Sequence, residues 1–194
     1  MTELAVRQIV TIPNLLTGYR FAVIPPLMAC LFLDADVWIG LFAFSLFLSG
    51  ALTDLADGYY ARKRQSETIL GKLMDPLADK LLVATALIML IPMERVPAWV
   101  SLLIVGREIF VTGLRGVAAS SGVVISASGL GKIKSLSQYT ALSILIFPSE
   151  FFPFFPLHQL GRTILYVSLA LTLWSGIDYF CRFQKVFLDT HTNS

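Results

Sequence analysis

Six apolar segments dominate this sequence. Most are close to the ~20 residues that an α-helix needs to cross the ~30 Å hydrocarbon core of a bilayer. Hydrophobic residues make up 56% of the chain and charged residues only 14%, whereas a soluble domain carries about a quarter charged residues. We therefore predict an all-α integral membrane protein, with residues 1–194 forming a single membrane domain.

The predicted spans are joined by short polar or proline-containing segments. The six spans are expected at about 15–33, 37–56, 75–93, 98–118, 136–147 and 163–181. A short interfacial helix is expected before them, over residues 1–11. The third helix has two possible starts: Asp75 as N-cap with Pro76 at the first helical position, or Gly71, with Pro76 as a kink. Residues 120–134 are small, polar and glycine-containing, which predicts a loop.

The distribution of lysine and arginine predicts the orientation, because both concentrate on the cytoplasmic side of membrane proteins. With a cytoplasmic N-terminus, most of the basic residues outside the predicted spans fall in four cytoplasmic segments: around Arg7, in 62–72, in 132–134 and in 182–185. The opposite side keeps only Arg95 and Arg162. Six spans then return the C-terminus to the cytoplasm, and we expect a multi-pass protein of the cell inner (plasma) membrane.

Two pairs of carboxylates lie near the predicted cytoplasmic surface. Asp54 and Asp57 are three residues apart, and Asp75 and Asp79 are four apart, so each pair shares one face of its helix. Carboxylates next to hydrocarbon are costly and usually functional. Four that converge repel one another unless cations lie among them. Oxygen ligands favour Mg²⁺, Mn²⁺ or Ca²⁺, so we predict two divalent cations at this site.

The residues between the two pairs suit a phosphate-containing ligand. Gly58 and Gly71 have no side chains, so a ligand can approach the backbone closely, although helix ending and helix packing explain them equally well. Arg62 can hold an anionic oxygen bidentately. Lys63 and Arg64 are better explained by membrane topology and contact with lipid headgroups.

The stretch as a whole reads D-x2-D-G-x2-A-R-x8-G-x3-D-x3-D, which resembles the signature of the CDP-alcohol phosphotransferase family. Its fixed positions are filled by Asp54, Asp57, Gly58, Ala61, Arg62, Gly71, Asp75 and Asp79. The six-span layout also matches, so the resemblance covers nearly the whole chain. It implies transfer of a phosphatidyl group from CDP-diacylglycerol to an alcohol, with release of CMP.

The same resemblance implies the roles of the site residues. It implies two ions, Mg²⁺ or Mn²⁺, held by the four aspartates of the pattern, and Asp79 as the base that accepts the proton of the incoming hydroxyl. It implies a CDP-diacylglycerol site at Asp57, Gly58, Ala61, Arg62 and Gly71. It also implies a homodimer.

Residues outside the aspartate pattern indicate which alcohol accepts the phosphatidyl group. Residues 12–17, 71–80, 107–115 and 131–134 resemble the branch of the family that uses sn-glycerol 3-phosphate. Because this acceptor is a dianion, it requires a basic pocket. The expected acceptor-binding residues are Thr17, Arg20, Arg107, Arg115 and Lys132. Glu108 is expected to orient a neighbouring arginine, and a buried structural ion pair with Arg107 is the alternative.

Other functions remain open from the sequence. Within the family, the acceptor can instead be serine, inositol phosphate or phosphatidylglycerol. A cation transporter also places carboxylates within a membrane, but the acids here lie at one face and do not cross it. We expect the lipid bilayer as a partner and no nucleic acid.

Overall fold

The computed structural model describes residues 12–33, 36–60, 69–120 and 130–192. Within these ranges the side chains are described except at 12–14, 55–60, 69–73, 75–76, 130–132 and 186–192. The predicted interfacial helix at 1–11 lies outside the described residues.

The described residues form six α-helices and contain no strand. The helices are α1 (Ile12–Leu33), α2 (Val37–Tyr60), α3 (Ile69–Met89), α4 (Ala98–Ser120), α5 (Leu130–Ile146) and α6 (Leu157–Thr192). A short 3-10 helix, Ser149–Phe151, joins α5 to α6. The prediction of an all-α fold is confirmed for this part of the chain.

Three segments are long and apolar enough to cross a membrane: Leu15–Leu33, Val37–Asp54 and Leu157–Lys185. They belong to α1, α2 and α6, and they give the chain the helices of a membrane protein. The other three helices differ for identifiable reasons. Charged residues interrupt α3 and α4, and α5 has 17 residues with lysines in its first turns.

The structure decides one helix start that the sequence left open and corrects another. Because α3 begins at Ile69, Asp75 and Pro76 lie inside this helix, which excludes Asp75 as its N-cap and agrees with the alternative start near Gly71. Pro76 has no N–H and so removes one backbone hydrogen bond from α3. The loop predicted for residues 120–134 is wrong over its last five residues, since α5 begins at Leu130. A tertiary contact favours this early start: the buried Lys134 side chain pairs with Glu108 of α4.

The helices pack closely because small residues lie where they meet. α1 packs against α2 and α3, and α6 runs along α5. A Cβ atom at Gly50 of α2 would lie 2.8 Å from Leu82 Cδ2 of α3. A Cβ at Gly161 of α6 would lie 2.8 Å from Leu145 Cγ of α5. Glycine therefore allows both contacts, as small residues commonly do between membrane helices.

Successive helices run in opposite directions, which gathers polar residues at two ends of the bundle. Side chains of the first half of α1 and of the first half and middle of α5 contact side chains of the second half of α2 and the middle of α4. At the other end, Asp36, Arg95 and Glu150 line a separate pocket of about 290 Å³. The predicted site residues with described side chains lie either in the helix halves that meet at the first end or near the middle of α3 and α4.

Candidate active site

Asp54 of the family-like pattern is paired with a buried arginine. The Nη1 atom of Arg20, on α1, lies 2.8 Å from Oδ1 of Asp54, on α2. The Arg20 side chain is 0% exposed and that of Asp54 is 27% exposed. A guanidinium removed from water requires such a partner, because an unpaired buried charge is strongly unfavourable. Thr17, one turn earlier on α1, is also buried.

Asp54 and Asp79 face the same atom. The hydroxyl of Tyr139, on α5, contacts Oδ1 of Asp79 and lies 3.1 Å from Oδ2 of Asp54. Tyr139 is buried, with 4% of its surface exposed. A phenol has only one hydrogen to donate, so its hydroxyl serves one carboxylate at a time. The structure thus brings together one aspartate of each pair, from α2 and from α3.

The remaining residues of the pattern are only partly described. Asp57 and Gly58 lie in α2, and Gly71 and Asp75 lie in α3, but the environment of these four residues is outside the described part. Ala61 and Arg62 fall in the undescribed segment 61–68. Among the side chains that are described, no group of three or more histidine, cysteine or acidic residues is arranged to hold a metal ion.

A second polar cluster ties α4, α5 and α6 together. Glu108 Oε1 contacts Lys134 Nζ and lies 2.8 Å from Arg107 Nη1. Arg107 Nη2 donates a 2.7 Å hydrogen bond to Ser175 Oγ on α6. The backbone of α6 lies close to Arg107, since a Cβ at Gly176 would be 3.2 Å from Arg107 Cγ. The ion pair between Arg107 and Glu108, which was expected as an alternative role of Glu108, is therefore present.

The other basic residues expected at the acceptor site lie further toward the same end. Arg115 is exposed, and its guanidinium carbon lies 5.8 Å from the centroid of the Tyr179 ring. This distance is typical of a cation–π contact. Lys132 lies in the first turn of α5, and its side chain is not among those described.

A cavity of about 300 Å³ between α3, α4 and α5 connects these two groups of residues. Its lining includes Asp79 and Tyr139 from one group and Glu108 and Lys134 from the other. Gln138 also lines the cavity and is 4% exposed. Apolar side chains of α3 and α4 form most of the remaining wall: Leu77, Leu81, Val83, Ala84, Ile104, Val105 and Ile109.

Three residues of α5 were not among the sequence-predicted site residues: Lys134, Gln138 and Tyr139. Lys134 and Gln138 are four residues apart and share a helix face. The spacing of these two polar residues, at the start of an apolar segment, could have indicated that they belong to the site. Tyr139 gave no such signal, because a tyrosine in a membrane helix commonly faces lipid headgroups.

Comparison with known sequences assigns the chain to a family. The sequence model of the CDP-alcohol phosphatidyltransferase family matches residues 10–174. The chain belongs to this family. The matched range contains every position of the aspartate pattern. It also contains Arg20, Tyr139 and the residues that line the cavity between α3, α4 and α5.

Individual relatives share most of their length with this chain. A CDP-diacylglycerol–glycerol-3-phosphate 3-phosphatidyltransferase of Bacillus subtilis is 40% identical over 185 residues, covering 88% of this chain and 94% of the relative. A protein of the same name from Rickettsia felis is 39% identical over 176 residues, covering 91% and 97%. A cardiolipin synthase (CMP-forming) of Oryza sativa is 34% identical over 201 residues, covering 93% of this chain and 60% of the relative.

Proposed function

We propose that this protein transfers the phosphatidyl group of CDP-diacylglycerol to sn-glycerol 3-phosphate, giving phosphatidylglycerophosphate and CMP. Family membership and the names of the bacterial relatives support this reaction. The structural observation that carries the proposal is the meeting of Asp54 and Asp79 at the Tyr139 hydroxyl, beside a cavity that also holds Lys134. Such a site combines oxygen ligands for cations with a positive group for an anionic acceptor.

The residues at this end of the bundle fit two divalent cations, Mg²⁺ or Mn²⁺. Asp54 and Asp79 offer only oxygen atoms and face one position, which is the donor chemistry that these ions prefer. Asp57 and Asp75 lie about one turn away on the same helices and complete the proposed ligand set. When bound, the ions supply positive charge that stabilises the pyrophosphate and the departing CMP.

Asp79 is proposed to act as the base, because its carboxylate lies in the wall of the cavity where the acceptor would bind. It takes the proton of the acceptor hydroxyl as that oxygen bonds to the phosphorus next to diacylglycerol. The bond from this phosphorus to CMP breaks, and CMP leaves. The described residues that line the cavity include no histidine or cysteine, and the proposed in-line attack requires no covalent intermediate. The residues proposed to hold CDP-diacylglycerol are Asp57, Gly58, Ala61, Arg62 and Gly71.

The acceptor is proposed to bind where Thr17 and four basic residues of α1, α4 and α5 gather: Arg20, Arg107, Arg115 and Lys132. Arg20 and Arg107 already neutralise Asp54 and Glu108. Their expected contribution is therefore to hold these carboxylates as well as to add positive potential. Arg115 differs, since its described contact is with the Tyr179 ring, which does not neutralise its charge.

Arg115→Ala is expected to raise the KM for sn-glycerol 3-phosphate by about tenfold, the effect of losing one charge-assisted hydrogen bond. The KM for CDP-diacylglycerol is expected to stay within about twofold of the original. Steady-state CMP release, with each substrate varied in turn, measures both constants. Arg182→Ala is the matched control, because Arg182 is an exposed arginine near the same end that pairs with Asp178. An unchanged acceptor KM in Arg115→Ala would remove this residue from the acceptor site.

The reaction itself is tested by measuring CMP release from CDP-diacylglycerol with four acceptors: sn-glycerol 3-phosphate, phosphatidylglycerol, serine and inositol phosphate. Each is assayed in detergent micelles with Mg²⁺ or Mn²⁺, and with EDTA. Release is expected with sn-glycerol 3-phosphate and is expected to stop when EDTA removes the ions.

Phosphatidylglycerol is the second candidate acceptor, because one relative is named as a cardiolipin synthase. Faster CMP release with phosphatidylglycerol than with sn-glycerol 3-phosphate would identify phosphatidylglycerol as the acceptor. Cation flux into liposomes that contain no CDP-diacylglycerol would instead favour the transporter.

We further propose that all six helices cross the inner (plasma) membrane, with both termini and the active site on the cytoplasmic side. The gathering of Arg20, Lys134 and Arg182 in helix halves that share one end of the bundle supports this orientation. A homodimer is proposed from the family resemblance.

A further inference from the structure

Gln138 has a buried amide that no described residue satisfies. Its side chain lies on α5, is 4% exposed and lines the cavity that contains Asp79. No hydrogen-bond partner lies within reach of its Nε2 atom in the described part of the chain. An amide nitrogen carries two donors, and leaving them without partners in a buried position is unfavourable. A ligand that accepts a hydrogen bond in the cavity would remove this cost.

The other uncharged polar groups of the cavity wall already have partners. The Thr112 hydroxyl donates to the backbone carbonyl of Glu108. The Tyr139 hydroxyl contacts the carboxylates of Asp54 and Asp79 and donates to one of them at a time, and Ser135 also has a partner. Gln138 is thus the uncharged side chain of the described wall whose amide nitrogen has no partner among the described residues.

The position of Gln138 lies between two chemically different parts of the cavity. One turn before it on α5 is Lys134, paired with Glu108, and the next residue is Tyr139, which contacts Asp79. Four residues of helix rise by about 6 Å. A three-carbon acceptor with its phosphate near the basic residues and its reacting hydroxyl near Asp79 would place its middle carbon beside Gln138.

We propose that Gln138 determines acceptor specificity by donating a hydrogen bond to the hydroxyl on carbon 2 of sn-glycerol 3-phosphate, the hydroxyl that does not react. This inference rests on the proposed function. A buried donor of this kind selects against an acceptor that lacks the hydroxyl, because binding such a molecule leaves the amide unpaired in a dehydrated site. Gln138 therefore recognises the hydroxyl on carbon 2, which is the one group that distinguishes sn-glycerol 3-phosphate from 1,3-propanediol monophosphate.

The test compares sn-glycerol 3-phosphate with 1,3-propanediol monophosphate, which keeps the phosphate and the terminal hydroxyl but lacks the hydroxyl on carbon 2. The unmodified protein is expected to use sn-glycerol 3-phosphate with a kcat/KM about tenfold or more higher. In Gln138→Leu the preference is expected to fall to about twofold or less, with the loss confined to sn-glycerol 3-phosphate. Gln159→Leu is the control, because Gln159 is exposed at the opposite end of the bundle and should keep the original preference.

The outcomes separate this inference from the proposed function. Equal use of the two acceptors by the unmodified protein, or an unchanged preference in Gln138→Leu, would overturn the role of Gln138 while leaving the reaction intact. Absence of CMP release with both acceptors would overturn the proposed function and this inference together. Continued turnover of 1,3-propanediol monophosphate by Gln138→Leu shows that the variant is folded. If that variant does not fold, the same two acceptors are compared on the unmodified protein and on Gln138→Met. An unchanged preference in Gln138→Met would then overturn the role of Gln138.

Discussion

Asp79→Asn is expected to lower kcat for CMP release by about 10²–10⁴-fold, the usual contribution of a positioned general base. Asparagine has nearly the same shape as aspartate, and its amide oxygen can still accept the hydrogen bond from the Tyr139 hydroxyl. It cannot take a proton from the acceptor hydroxyl at neutral pH. The expected loss is therefore in turnover, with affinity for CDP-diacylglycerol retained within about threefold. CMP release at saturating substrate and calorimetric titration of CDP-diacylglycerol in the presence of Mn²⁺ measure the two quantities.

Asp178→Asn is the matched control for this variant. Asp178 lies on α6, pairs with the exposed Arg182 and does not line the cavity. Its replacement is expected to leave kcat within about twofold, because exposed ion pairs contribute little. Retained turnover in Asp79→Asn would exclude this residue as the base. Loss of Mn²⁺ and CDP-diacylglycerol binding together with turnover would instead make ligand binding its principal role.

The helices and the aspartate pattern were accessible from sequence because both depend on local spacing. An apolar run of about 20 residues predicts a helix whatever it packs against, and all six predicted spans correspond to observed helices. The spacing of Asp54 and Asp57, and of Asp75 and Asp79, likewise fixes the face of each helix without knowledge of the rest of the chain. The existence of the helices was therefore easier to predict than their ends.

The contacts that build the cavity were less accessible, because they join distant parts of the chain. Tyr139 meets Asp54 and Asp79 across 85 and 60 residues. No local pattern distinguishes a tyrosine that faces such carboxylates from one that faces lipid. The start of α5 was difficult to predict for the same reason. The glycine-containing segment before Lys134 has the composition of a loop, and the contact of Lys134 with Glu108 joins distant parts of the chain. Arg20 is a third example, because its sequence context gives no indication of the partner 34 residues away.

Arg20→Leu is expected to lower the free energy of unfolding by about 3 kcal/mol, near the lower end of the range for breaking a buried ion pair. The lower end applies because the Arg20 side chain is fully buried whereas Asp54 is 27% exposed, so water compensates part of the loss. Thermal or denaturant unfolding of the purified protein in detergent, without divalent ions, measures the change. Arg182→Leu is the control, since the Arg182 side chain is 51% exposed and that of Asp178 is 31% exposed, and a pair so accessible to water should contribute less than about 1 kcal/mol.

The double variant Arg20→Leu/Asp54→Asn separates the ion pair from simple loss of packing. If Arg20 stabilises the protein chiefly through Asp54, removing the charge of both partners is expected to recover about 1–2 kcal/mol relative to Arg20→Leu alone. Divalent cations provide a second readout, because they can also neutralise Asp54. Mn²⁺ is therefore expected to stabilise Arg20→Leu more than the unmodified protein. Equal stabilisation of both proteins by Mn²⁺, with no recovery in the double variant, would show that Arg20 acts through packing or acceptor binding and not through the Asp54 carboxylate.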